Sequence, residues 1–176
     1  MQRVNDYANK FMLVGKDKQY SLYEYKPTLL HPLAINFEPL RMVRRFRFWL
    51  EFLKGGYKVY YLANGDTILG HCVVTPGGRR LSVSTKEDIV LGPYFVDSQF
   101  RGKGYAKVLL SLTLKNCSYD YKYAFDWIHE HNTLSIKTSE SIGMKMIGRL
   151  YVKGVMRNLV NDPNGDNRIY KYIKNE

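Results

Sequence analysis

The sequence has 176 residues, which is enough for one compact domain and short for two, so residues 1–176 are treated as a single domain. Apolar residues make up 45% and charged residues 24%, proportions that exclude a disordered or fibrous chain. There are 27 Lys and Arg against 16 Asp and Glu, for a formal net charge of +11. Such a surface is expected to attract anions, among them nucleic acid, phosphorylated cofactors and anionic membranes.

Cysteine content and hydropathy indicate the compartment. Cys72 and Cys117 are too few for a disulfide scaffold, which favours a reducing environment. No apolar stretch approaches the roughly 18–20 residues that cross a bilayer, and the first ten residues lack the apolar core of a signal peptide. The sequence therefore predicts a cytoplasmic protein with no membrane span.

The first predicted elements are a strand and an arginine-rich helix. The strand covers Gln19–Tyr25, and the helix starts near Pro39 and ends at Gly55-Gly56. Apolar residues recur every three or four positions and predict its buried face. They are Leu40, Val43, Phe46, Trp49, Leu50 and Leu53. The interleaved arginines, from Arg41 to Arg47, are interpreted as a solvated helix face in preference to a basic nucleic-acid patch.

The middle of the chain is rich in β-forming residues. Strands Tyr57–Leu62 and Thr67–Val74 flank an Asn-Gly turn, which is a strong hairpin signal. The next strand is Ile89–Val96, and Gly92-Pro93 within it predicts a bulge or an unpaired stretch, because proline cannot donate to a ladder.

Two further helices alternate with the remaining strands. The helices are Tyr105–Asn116 and Asn132–Ile142, the second capped by Asn132. The strands are Tyr123–Ile128, Met146–Val152 and Arg168–Ile173. This order predicts an α+β fold with a mixed sheet, not a regular doubly wound one.

The segment from Val96 to Ala106 carries most of the functional information. It lies where a strand ends and a helix begins, and Gly102 and Gly104 allow successive backbone N–H groups to converge on one point. Together with the positive end of the helix dipole, and with Arg101 and Lys103 beside it, this predicts an anion site. Neither the P-loop motif nor the dinucleotide fingerprint is present, since Lys107 occupies the position of the third glycine of the latter.

Two motifs resemble those of the GNAT superfamily of acetyl-CoA-dependent N-acetyltransferases. Arg101-x-x-Gly104-x-Ala106 matches its Gln/Arg-x-x-Gly-x-Gly/Ala pattern, and Asn132-x-x-Ser135 with Gly143-Met144 is similar to its second motif. The resemblance covers about Tyr57 to Val152. It implies a mostly antiparallel central sheet flanked by helices, with a splayed strand pair that receives the pantetheine arm.

The resemblance also implies which residues hold acetyl-CoA. Backbone groups of Phe95 and Val96 would pair with the pantetheine, and the Val96 N–H would bind the oxyanion of the tetrahedral intermediate. Asn132 would meet the cofactor arm, although a helix N-cap explains it equally well. The loop that cradles the pyrophosphate would consist of Arg101, Gly102, Lys103, Gly104, Tyr105 and Ala106.

The catalytic residues are less well defined. Many relatives carry a tyrosine seven residues after the motif asparagine, and this position is Ser139, whose hydroxyl could hydrogen-bond the leaving sulfur or simply be solvated. Asp126 and His129 are the candidate general bases, with His71 as a weaker third. Alternation places Asp126 and His129 on opposite faces of their strand. The His129-Glu130-His131 run lacks the spacing of a zinc site, and no metal is expected.

These features favour an enzyme that transfers an acetyl group from acetyl-CoA to a primary amine of a small molecule, such as an amino sugar or a nucleotide-linked amino sugar. One alternative is a protein or peptide N-acetyltransferase. A third hypothesis, which the missing tyrosine supports, is a non-catalytic module that binds CoA or nucleic acid. No specific nucleic-acid partner is expected, because no RNA-binding motif is present, and a homodimer is left open.

Overall fold

The structure is a computed structural model, and it describes residues 2–37, 42–153 and 158–174. The chain forms two compact units, one of residues 1–75 and 92–117 and one of residues 76–91 and 118–176. That the whole chain acts as one domain stays a prediction.

The first unit holds most of the strands that precede the glycine loop. Its elements are β1 (Phe11–Asp17), β2 (Tyr20–Tyr25), α1 (Met42–Leu53), β3 (Lys58–Asn64), β4 (Thr67–Pro76), the second half of β5 (Ile89–Val96) and α2 (Tyr105–Asn116). Strands β1 to β4 pair antiparallel in chain order. The predicted hairpin between β3 and β4 is confirmed, with Gly65 at φ +56° in its turn. Short 3-10 helices cover Asn5–Lys10 and Ser98–Phe100.

Alternation along the strands gives the strands of this unit two buried faces. On one face Val59, Tyr61 and Val73 form a core with Phe48 of α1. On the other face, which α2 covers, the Tyr60 hydroxyl lies 3.6 Å from the sulfur of Cys117 at the end of that helix. Val108, Leu109 and Leu112 are predicted from their spacing to face inward, and the two leucines are buried while Val108 is half-buried. The loop at the start of α2 is therefore carried by a rigid helix.

The structure corrects two predictions in this unit. Strand β1 was not predicted, because its alternation is interrupted by a register shift between Leu13 and Gly15. The predicted inner face of α1 is wrong: Phe46, Trp49 and Leu53 are exposed, while Phe48 and Phe52 pack on the core. Two apolar stripes run along this helix, and periodicity cannot tell which of them faces the sheet. Pro39, Leu40, Arg41 and the side chain of Val43 lie outside the described residues.

The second unit contains the start of β5 and the strands and the helix that follow α2. They are the first half of β5, then β6 (Tyr123–His129), α3 (Thr133–Ser141), β7 (Lys145–Lys153), β8 (Asn158–Asn161) and β9 (Asn167–Ile173). Strand β5 pairs with β6 in parallel at Ile89↔Ala124 and Val90↔Phe125. Strands β6, β9, β7 and β8 follow in antiparallel order. Strand β8 was not predicted.

The strands of this unit build a core on one face and carry α3 on the other. Phe125, Leu150 and Ile169 pack together with Leu81 from the segment before β5. On the α3 side, the Tyr170 hydroxyl of β9 donates to Oε1 of Glu140 at 3.1 Å. The predicted α+β class, with mostly antiparallel strands flanked by helices, is confirmed.

The longest helices among the described residues, α1 and α2, have 12 residues each and are too short to cross a bilayer, which takes roughly 20.

Candidate functional site

The loop between β5 and α2 has the geometry of an anion cradle. Gly102 and Gly104 both have φ +78°, and Gly104 is the N-cap of α2. Lys107 and Val108 donate their N–H groups to the Gly104 carbonyl at 3.1 and 3.3 Å. The N–H groups of the preceding Tyr105 and Ala106 have no acceptor within the helix and are directed out of its end. The positive end of the α2 dipole reinforces this site.

The space in front of the two glycines is open. No atom lies within 4 Å of the position that a Cβ would take at Gly102 or at Gly104. The glycines are therefore required for their left-handed backbone and not to avoid a neighbouring side chain. An anionic group such as the pyrophosphate of CoA fits an uncovered cradle of backbone N–H groups.

Strand β5 presents one edge of its backbone away from β4. The Asp97 N–H donates to the Leu69 carbonyl at 2.9 Å, and a Cβ on Gly70 would lie 2.4 Å from the Phe95 carbonyl oxygen. Phe95 and Asp97 therefore direct their backbone groups toward β4. Because backbone groups alternate along a strand, the N–H and the carbonyl of Val96 point to the opposite edge. The Val96 N–H is thus oriented to pair with an extended ligand there.

The Arg101 side chain lies along this end of β5. Its Nε donates to the Val96 carbonyl at 3.1 Å, and its guanidinium carbon lies 4.6 Å from the centre of the Phe95 ring. Arg101 thus contacts both Phe95 and Val96, and the cofactor roles of these residues and of residues 102–106 stay predictions. The sequence carried no signal for the contact between Arg101 and Val96, since it depends on how the loop folds back.

In the second unit, Asn132 occupies the N-cap of α3. Its side-chain Oδ1 accepts the N–H of Ser135 at 3.3 Å, so the helix-cap interpretation is confirmed. Its role toward the cofactor stays a prediction.

Asp126 and Ser139, which the sequence proposed separately, are brought together. The Ser139 hydroxyl donates to Oδ2 of Asp126 at 3.0 Å, and Ser139 is 0% exposed. Burial raises the pKa of the Asp126 carboxyl to about 7, because desolvation disfavours its charged form more than the hydrogen bonds from Ser139 and the Trp127 backbone favour it. This carboxyl is thus poised to exchange a proton near neutral pH. Strand alternation correctly placed Asp126 on the side opposite to Trp127, which packs in the core.

His129 is half-exposed and belongs to a different cluster. Its Nε2 lies 3.5 Å from Oδ2 of Asp166, and its Nδ1 accepts the His131 N–H at 3.3 Å. Beside it, Arg149 forms a salt bridge with Glu130 and donates from Nε to the Gly165 carbonyl at 2.7 Å. Both ring nitrogens of His129 thus have neighbours at the turn before α3, and its role as a base stays a prediction.

His71 is buried within an aromatic stack of the first unit. Its ring lies 5.6 Å from Phe37 at an angle of 11°, and Phe95 and Tyr61 are also in contact with it. Neither Cys72, which is buried, nor Cys117, which is half-buried, forms a disulfide. In residues 2–37, 42–153 and 158–174, no three His, Cys, Asp or Glu side chains gather as metal ligands.

Comparison with known proteins defines the class to which this fold and this loop belong. Residues 23–144, more than half of the chain, match the family model described as Acetyltransferase (GNAT) family. The chain belongs to the GNAT acetyltransferase family. It is therefore an acyl-CoA-dependent N-acetyltransferase, with acetyl-CoA as its acetyl donor. No curated protein sequence matches the chain.

Solved structures with the same fold include several acetyltransferases. RimL, a ribosomal L7/L12 alpha-N-protein acetyltransferase, has a TM-score of 0.63 at 13% identity and covers 93% of this chain and 95% of its own. YncA, a putative acetyltransferase from Salmonella typhimurium solved with acetyl-CoA, has a TM-score of 0.56 at 15% identity, covering 88% and 95%. An aminoglycoside N(6')acetyltransferase from Legionella pneumophila has a TM-score of 0.59 at 10% identity, covering 90% and 94%. At these identities the likeness shows the fold alone.

Proposed function

We propose that this enzyme acetylates a primary amine of a small molecule, such as an amino sugar or a nucleotide-linked amino sugar. The observation that carries the donor half of the proposal is the open cradle of backbone N–H groups at the start of α2, with Gly102 and Gly104 both at φ +78°. The net charge of +11 exceeds what one CoA molecule needs and supports an acceptor that is itself negatively charged.

The chain supplies two sets of backbone groups that bind acetyl-CoA. The N–H groups from Gly102 to Ala106 bind the pyrophosphate, and Val96 pairs with the pantetheine and directs its N–H toward the thioester oxygen. The acceptor nitrogen attacks the thioester carbon, and the C–S bond breaks as the oxyanion collapses to the amide. The amine loses one proton and the thiolate gains one.

Those protons require a group that titrates near neutral pH. Asp126, with a pKa of about 7, is the proposed base, and the Ser139 hydroxyl donates its one hydrogen bond to the Asp126 carboxyl. Because Ser139 has no exposed surface, we propose that it acts through Asp126 or a water and not by direct contact with the sulfur. His129 and His71 remain the weaker candidates, the first held beside Asp166 and the second within its aromatic stack.

A protein amine is the second candidate acceptor. RimL and a ribosomal-protein-S5-alanine acetyltransferase from Vibrio fischeri share the fold, and both are described as acting on ribosomal proteins. The aminoglycoside enzyme with the same fold illustrates the small-molecule alternative. The positive charge of the present chain is compatible with either class when the acceptor is acidic.

The acceptor class is tested by thiol release from acetyl-CoA with a panel of amino sugars, nucleotide-linked amino sugars, polyamines and peptides. The proposal expects turnover with a small-molecule amine, and faster turnover with a nucleotide-linked one because of the positive charge of the chain. Turnover with peptides alone would replace it with the protein acceptor, and the absence of thiol release with every amine would point to a binding module.

The donor site is tested separately by calorimetry with the Gly104→Glu variant. A carboxylate in the cradle should abolish CoA binding, because it repels the pyrophosphate and its side chain enters the site. Gly56→Glu is the matched control: Gly56 has φ +80°, nothing lies within 4 Å of its Cβ position, and the charge change is the same. Unchanged CoA affinity in a folded Gly104→Glu protein would refute the assigned cradle.

A further inference from the structure

Helix α1 exposes a continuous apolar stripe. Met42, Phe46, Trp49 and Leu53 recur at intervals of four, three and four residues, which places them on one side of the helix. Met42 is 81% exposed and Leu53 is 64% exposed. The other side of the helix is already used, since Phe48 and Phe52 pack on the core of the first unit. The stripe is therefore not needed to hold the helix on the sheet.

The loop before α1 extends this stripe into a broader apolar surface. Leu29 and Leu30 are exposed, Leu30 at 83%. Together with Met42, Phe46 and Trp49 they line a groove of about 580 Å³. We refer to Leu29, Leu30, Met42, Phe46, Trp49 and Leu53 as the α1 patch. Several large apolar side chains that protrude side by side indicate an interaction surface and not scattered exposure.

The charge around the α1 patch is positive. Arg45 is exposed and lines the same groove, and Lys26 and Lys54 are exposed where the loop begins and the helix ends. Within the described residues 26–37 and 42–53 the only acidic side chain is Glu51, and it is buried. A partner must therefore offer apolar contact and negative charge together.

From this combination we infer that the α1 patch docks the enzyme on an anionic phospholipid membrane surface. A helix with tryptophan, phenylalanine and leucine on its exposed side and arginines beside them can lie in the interface between headgroups and acyl chains. Trp49 suits that depth, because its ring is apolar and its N–H is polar. Arg45 and the two lysines meet the lipid phosphates.

A second copy of the chain fits the α1 patch less well. A two-fold interface would set the patch against itself and bring Arg45 of each copy close to like charges. Two chains of +11 also repel each other, whereas an anionic bilayer attracts each of them. The charge thus favours the lipid surface as the occupant.

The test is co-sedimentation of the full chain with vesicles of phosphatidylcholine alone or with phosphatidylglycerol added. Binding is expected only to the anionic vesicles, and it should weaken as salt is raised. Leu53→Glu should reduce the partition coefficient about tenfold or more, since it removes an inserted leucine and adds a repelled charge. Ile173→Glu, at a side chain 58% exposed on β9, is the matched control and should bind as well as the parent protein.

Two further readouts separate this inference from its alternatives. Arg45→Gln should weaken binding about fivefold, and Lys145→Gln on β7 should leave it unchanged. The emission of Trp49 should shift to shorter wavelength with anionic vesicles, and this shift should disappear in Trp49→Phe.

Three outcomes would overturn the inference. The first is no binding to anionic vesicles at low salt, or binding that Ile173→Glu weakens as much as Leu53→Glu. The second is a dimer in solution that Leu53→Glu dissociates, which would make a second copy the occupant. The third is loss of acetyl transfer by Leu53→Glu without vesicles, which would place the α1 patch in the acceptor site.

Discussion

Asp126 shows how burial changes the chemistry of a single residue. Its carboxyl is ordinary in sequence, yet its position between β6 and α3 removes it from water and raises its pKa to about 7. Ser139, a short side chain at a position where relatives carry a tyrosine, reaches it at 3.0 Å. A buried acid and a buried hydroxyl thus form one hydrogen-bonded pair that neither residue suggested alone.

The raised pKa predicts how stability depends on pH. The unfolded carboxyl ionises near 3.8 and the folded one near 7, so the native state binds the extra proton between these values. Asp126 therefore lowers the free energy of unfolding as pH rises from about 4 to 7, by up to about 4 kcal/mol. The free energy of unfolding, measured with denaturant at several pH values, should fall less steeply with pH for Asp126→Asn than for the parent protein. Asp120→Asn, at a fully exposed side chain, should keep the parent slope, and identical slopes for all three proteins would contradict the assignment.

Ser139→Ala is predicted to slow acetyl transfer modestly. A hydroxyl that only donates a hydrogen bond contributes about 0.5–1.5 kcal/mol, which corresponds to roughly a twofold to tenfold loss of rate. The same variant should move the pH profile of kcat to higher pH, because the Ser139 hydrogen bond lowers the pKa of Asp126. Ser141→Ala, which loses a hydrogen bond to the Thr138 carbonyl on the exposed side of α3, is the control. A loss of about three orders in kcat with intact acetyl-CoA affinity would identify Ser139 as an indispensable acid.

Burial also changes the expectation for a larger side chain at this position. The family pattern alone suggests that Ser139→Tyr is tolerated. Ser139 has no exposed surface, however, and a phenol ring there would overpack the space between α3 and β6, at a cost of about 1–3 kcal/mol.

At the scale of the elements, the close approach of β4 and β5 positions the Val96 backbone. A Cβ at Gly70 would lie 2.4 Å from the Phe95 carbonyl oxygen, and this atom belongs to the backbone and cannot rotate away. Gly70→Ala is therefore predicted to move β5, lowering the melting temperature and weakening CoA binding in calorimetry. Gly148→Ala on β7 is the control, since its Cβ would meet only Ile169 Cδ1 at 3.9 Å and should leave both properties unchanged. Equal behaviour of the two variants would contradict this role for Gly70.

Helix α1 shows that local sequence can predict that a helix forms without predicting which of its sides is buried. The helix and its end at Gly55-Gly56 follow from local signals, and the structure confirms both. The buried side depends on which stripe meets Tyr57 and Val73 in the core. No local pattern contains that information. Strand β1 was missed for a different reason, because the register shift between Leu13 and Gly15 interrupts the alternation by which a strand is predicted.

At the scale of the whole molecule, the charge of +11 acts on every anionic partner. Nucleic acid is therefore predicted to bind without sequence selectivity, by phosphate contacts alone. Filter binding should show an affinity that falls steeply between 50 mM and 200 mM salt, in proportion to the number of phosphates contacted. A sequence-selective complex that survives physiological salt would contradict this and would favour a nucleic-acid-binding role.

The amino-acid sequence alone determined the features that depend on neighbouring residues. The β3–β4 hairpin follows from Asn64-Gly65, the cap of α3 from Asn132, and the anion cradle from the glycines that precede Tyr105. Each is a backbone conformation that a few adjacent residues decide, and the family motif lies in the last of them.

Tertiary structure alone decided the contacts between residues distant in the chain. The pairing of Asp126 with Ser139, the Arg101 side chain on Phe95 and the exposed side of α1 all arise when separate elements pack together. Side-chain burial sets the pKa of Asp126, and packing selects which stripe of α1 meets water. These properties follow from the surroundings of a residue in space, which local spacing does not encode.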